Sequence, residues 1–60
     1  MVHVQLNPVE AQCLRRVLEE TISDLGMEIA NTDSLDFRRR LKDQRATLER
    51  ILERIQREAA

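Results

Sequence analysis

The side chains best equipped for chemistry are few, and they do not converge. The densest set is Arg38-Arg39-Arg40-x-Lys42-x-x-Arg45. Cations at helical spacing can hold a phosphate backbone, and Arg38, Arg39, Lys42 and Arg45 are the candidate nucleic-acid contacts. The plainer reading is a solvated helix face balanced by acids. Asp36 and Asp43 flank the run, no aromatic side chain interleaves it for base stacking, and its positions scatter around the outside of a helix. A net charge of −1 adds no global field toward nucleic acid or an anionic membrane. Nucleic acid is therefore not the expected partner.

Cys13 is the sole cysteine, which excludes a disulfide within this sequence and fits a reducing compartment. Arg15 and Arg16 point elsewhere on a helix and nothing places a base beside it. Its expected role is a small buried hydrophobe rather than a nucleophile. His3 has no second His or Cys with which to hold a metal. Glu19, Glu20, Glu49 and Glu53 read as surface acids and lack the Glu-x-x-His pattern of a di-metal bundle. No glycine-rich loop offers a phosphate cradle. The sequence assigns no catalytic residue, no metal ligand and no cofactor, and an enzyme is not expected.

The elements that would position these residues are helices. With 42% hydrophobic residues against 35% charged, the chain is too apolar to be disordered on charge alone. One Gly, one Pro, one Phe and no Trp or Tyr leave little of what an all-β fold uses. The predicted class is all-α. Residues 1–6 alternate Val2, Val4 and Leu6 with His3 and Gln5, the period of a short strand or extended arm. Asn7 then offers an N-cap, Pro8 a first helical position and Glu10 the acid of a capping box.

The pattern predicts a first helix over 8–30, where Leu14, Leu18, Ile22, Leu25 and Ile29 form one stripe flanked by Val17 and Cys13. Val9 and Met27 fall off it. Gly26 lies outside it and marks either fraying or a close approach by a neighbour. A polar turn over 31–34 follows, with Asp33 or Ser34 as cap. A second helix is predicted over 35–57. Leu41, Leu48 and Ile55 repeat in heptad register, with Phe37, Gln44 and Ile51 as companions and Leu52 beside them.

A turn this short makes the helices antiparallel. Folding back pairs Ile29 with Phe37, Leu25 with Leu41, Leu18 with Leu48, Leu14 with Ile51 and Leu52, and Ala11 with Ile55. Near the turn, Asp24 and Glu28 are expected close to Arg38 and Lys42. Thr21 and Gln44 form a polar layer, read either as a register-fixing pair or as side chains hydrated at the rim. The apolar stripes are wider than one two-helix seam covers. A homodimeric four-helix bundle is therefore the expected assembly, with a different protein partner as the competitor. No secretion signal and no apolar run of bilayer length are evident, so a cytoplasmic protein without a membrane span is expected.

The segments Leu6-Asn7-Pro8-Val9-Glu10, Leu25-Gly26-Met27-Glu28-Ile29-Ala30-Asn31-Thr32-Asp33 and Phe37-Arg38-Arg39-Arg40-Leu41-Lys42 resemble a group of short bacterial proteins of unknown function. These share a cap-Pro helix start followed by a Leu-rich helix. Gly26 stands where that group would carry a charged residue. The resemblance implies a helical hairpin and supplies no activity. The expected function is a non-catalytic dimeric interaction or adaptor module. The alternatives are a nucleic-acid-binding dimer using the basic half of the second helix, and a helical partner or inhibitory subunit of another protein.

Overall fold

The computed structural model describes residues 1–59. It contains two α-helices, α1 (Pro8–Asn31) and α2 (Leu35–Ala59), packed side by side as an antiparallel hairpin. Each runs slightly past its predicted end, and the extra residue of α1 shortens the connection to 32–34. No strand forms among the described residues, and the alternating segment before Asn7 is an extended arm.

Local chemistry fixes both helix starts. The Glu10 backbone N–H donates to Asn7 Oδ1 (2.8 Å) and the Asn7 N–H donates to Glu10 Oε1 (3.0 Å), a complete capping box with Pro8 behind it. Ser34, rather than Asp33, caps α2, its hydroxyl accepting from the Phe37 N–H (3.3 Å). Asp36 sits in the first turn of α2, where a negative charge suits the helix dipole. At the other end of α1 the Thr32 N–H donates to the Glu28 carbonyl (3.0 Å), closing the last turn.

The core is small. Leu18, Leu25, Ile29 and Leu41 are buried, with Leu48 packed against the last three. Ala11, Ile22, Leu52 and Ile55 are half-buried, which continues the seam to the open end of the hairpin. Leu14 belongs to the expected stripe but lies at its edge, 37% exposed.

The structure corrects the second helix's companion positions. Phe37, Gln44 and Ile51 are exposed, and the positions half-buried beside Leu41 and Leu48 are Arg38, Arg45 and Leu52. The seam has rotated by one residue toward the arginines. Hydropathy scores an arginine as polar throughout, yet its methylene stem can line an apolar seam while the guanidinium reaches the rim. The cross-hairpin pairing of Asp24 and Glu28 with Arg38 and Lys42 does not form either. The ion pairs among the described residues all lie within a single helix, at i and i+4.

Gly26 is explained by a neighbour and not by its backbone. It has no positive φ, and a Cβ built on it would meet Arg45 Nη1 at 3.8 Å. The Arg45 side chain therefore crosses α1 at this point.

Candidate interaction face

Two helices side by side make one layer. The molecule measures 40 × 23 × 14 Å, and the shortest dimension is one helix thick. Such a slab has two broad faces, and the helical advance of about 100° per residue assigns each side chain to one of them. Because α1 and α2 run in opposite directions, positions advancing one way around α1 share a face with positions advancing the same way around α2. The contact of Arg45 with Gly26 fixes which residues accompany which.

The first face carries Ile22 and Gly26 from α1 and Arg38, Arg45 and Lys42 from α2. It is also where the ion pairs gather. Arg15 pairs with Glu19 and Arg45 with Glu49, each at 3.5 Å, and Arg57 with Glu53 at 2.6 Å. These exposed pairs are individually worth at most about 1 kcal/mol, and their chief effect is to give this face a hydrated polar surface.

The second face is different. From α1 it presents Leu14 and Val17, and from α2 Phe37 and Ile51, with exposures of 37%, 50%, 43% and 38%. Leu14, Val17 and Ile51 are level with one another in the half far from the turn, and Phe37 stands near the turn. Between them lie Thr21 and Gln44. Thr21 is half-buried and its hydroxyl donates to the Val17 carbonyl of its own helix (2.8 Å), while Gln44 is exposed. The two therefore share the open face rather than meeting inside the seam. Asp24 and Glu28 edge this face on α1, and Arg40 edges it on α2. None of the three takes part in an ion pair among the described residues.

Of the candidate nucleic-acid contacts, Arg38, Lys42 and Arg45 share the first face, but Arg38 and Arg45 are engaged within the hairpin. The Arg38 guanidinium donates to the Thr32 carbonyl, and its buried Nε has no hydrogen-bond partner. Arg45 lies over Gly26 and pairs with Glu49. Arg39 and Lys42 are exposed and, three residues apart, are neighbours on the outer side of α2. Cys13, expected to be buried, is exposed because it lies well behind the edge of the seam. His3 lies on the arm, whose Leu6 lines an open cleft with Ala11 and Ile55 at the open end of the hairpin. Among the described residues no cluster of His, Cys, Asp or Glu could hold a metal ion, and no helix is long and apolar enough to cross a membrane.

The surface is large for the mass. The chain exposes 5264 Å². A compact protein of 7.0 kDa exposes about 4,000 Å². The excess of about 1,200 Å² is shared between the extended arm, where Met1, Val2 and Val4 are 70–110% exposed, and the uncovered face of the hairpin. No known protein family matches this chain, and neither a curated protein nor a solved structure matches it.

Proposed function

We propose that this protein is a non-catalytic homodimeric helical bundle acting as an interaction or adaptor module. The observation that carries the reading is the unequal dressing of the two faces. One is covered by ion pairs, and the other exposes Leu14, Val17, Phe37 and Ile51 on a slab with too few buried side chains to hold a fold comfortably. Burial is worth about 25 cal/mol per Å² of apolar surface, so covering that face is the largest stabilisation still open to the chain. Two hairpins stacked on it make a four-helix bundle, the smallest closed solution.

The basic half of α2 favours this reading over nucleic-acid binding, because Arg38 and Arg45 are committed to contacts within the hairpin. Sedimentation equilibrium at micromolar concentration tests the proposal. Twice the chain mass is expected, and a stably folded 7.0 kDa monomer overturns it.

A further inference from the structure

We infer that a second copy of this chain covers the open face about a twofold axis parallel to the helices, so that both 32–34 turns lie at the same end. The inference rests on the dimer reading and adds its topology. A twofold axis in the plane between two stacked slabs has two regular orientations. Parallel to the helices, it sets α1 of one copy over α2 of the other with equal heights enforced. Perpendicular to them, it sets α1 over α1 and α2 over α2 with the turns at opposite ends.

The residues on the open face discriminate between these two. Within the hairpin, Leu25 is level with Leu41 and Ala11 with Ile55, which fixes the height of every other position. With the parallel axis, Leu14 and Val17 meet the partner's Ile51 at the same height. Thr21 meets the partner's Gln44, so the polar residues face each other and not an apolar side chain. Asp24 and Glu28 then bracket the partner's Arg40 from about half a turn below and above. Each of these groups lacks a cross-chain partner in the isolated hairpin, and each acquires one of matching chemistry.

With the perpendicular axis the same groups conflict. The edge of α1 on this face is acidic, with Glu10, Asp24 and Glu28, and would lie along its own copy. The edge of α2 carries Arg40 and Arg54 and would do the same, whereas the same-end dimer opposes one like pair, Glu10 and the partner's Glu58 at the open end. With α1 overlapping its copy in full, Leu14 would come level with the partner's Asp24 and Leu25, and Glu28 with the partner's Glu10 and Ala11. Like charges opposed across an interface cost affinity and steer association away from that arrangement.

The turns supply the test. A chain with Cys13→Ser and Asp33→Cys carries one nitroxide on an exposed turn residue outside the proposed interface. With helix layers about 10 Å apart, the same-end dimer gives a label separation below about 25 Å. The opposite-end dimer separates the labels by about the length of a 24-residue helix, roughly 36 Å or more. A dimer with the short distance supports the inference, and a dimer with the long distance overturns the topology while leaving the dimer intact. A monomer in sedimentation overturns both. Charge reversal gives an independent readout. Arg40→Glu should weaken the dimer at least tenfold, and adding Glu28→Arg should restore most of the loss. Failure of that rescue in a folded, helical double variant contradicts the same-end pairing.

Discussion

The Arg38 guanidinium donates to the Thr32 carbonyl oxygen, reaching from the first turns of α2 to the residue that ends α1. The last turn of α1 contains no basic residue of its own. The positive charge that suits the negative end of a helix dipole therefore comes from the neighbouring helix. One side chain thus finishes α1, bridges the turn and lines the seam.

Replacing Arg38 by alanine removes a charge-assisted hydrogen bond and the stem that fills the seam. The expected loss is about 1–2 kcal/mol in urea unfolding. Arg38→Lys keeps the charge and should recover part of this loss. An unchanged midpoint for Arg38→Ala would show that the contact does not cap the helix.

Gly26→Ala should stabilise the protein. The added Cβ meets only the end of the Arg45 side chain, at ordinary van der Waals distance, and the backbone already has helical geometry. Removing the glycine's excess freedom is worth about 0.5–1 kcal/mol. In a domain this size that corresponds to a rise in Tm of about 2–8 °C.

Leu41 is the most deeply buried side chain described, at 5% exposure. Leu41→Ala should cost about 2–5 kcal/mol, a large part of what a small fold possesses, and abolish cooperative unfolding. Arg50 is exposed and reaches only the Thr47 hydroxyl one turn away, at 3.4 Å. Arg50→Ala should leave the circular dichroism melt within about 0.5 kcal/mol of the parent.

Substitutions on the open face should separate assembly from hairpin formation. Val17→Lys removes apolar surface without touching the seam, so weaker self-association is expected while the isolated hairpin contacts are kept. Gln44→Leu makes the centre of the face apolar. It should tighten association or broaden the distribution of oligomers, because a lone polar layer is a known means of fixing register. Sedimentation velocity over a concentration series reads both. A Gln44→Leu protein that failed to fold would contradict any placement of Gln44 on that face.

The hairpin was legible from sequence because its signals were local and mutually consistent. Asn7, Pro8 and Glu10 start α1 through contacts a few residues long, and Ser34 does the same for α2. The Leu41, Leu48, Ile55 repeat locates the seam of α2 to within one residue. It does not say on which side the companions stand, because the choice lies between Phe37, Gln44 and Ile51 on one flank and Arg38, Arg45 and Leu52 on the other. A hydropathy pattern favours the flank containing Phe and Ile. The fold takes the other one, where long arginine stems run over Gly26 and toward Thr32. The glycine was the available clue, since a missing side chain on one helix makes room for a long one from its neighbour. Cys13 was misplaced for a related reason, because the stripe on α1 is centred farther from it than the width of the apolar pattern implied.

Among the described residues, only four side chains are buried within a single chain: Leu18, Leu25, Ile29 and Leu41. So shallow a core couples folding to supply. Whatever binds the folded form preferentially raises the folded fraction by mass action, so covering the open face makes the amount of native protein depend on how much of the covering molecule is present. If a second copy is that covering molecule, dilution acts as a denaturant and expression level becomes a control on structure itself.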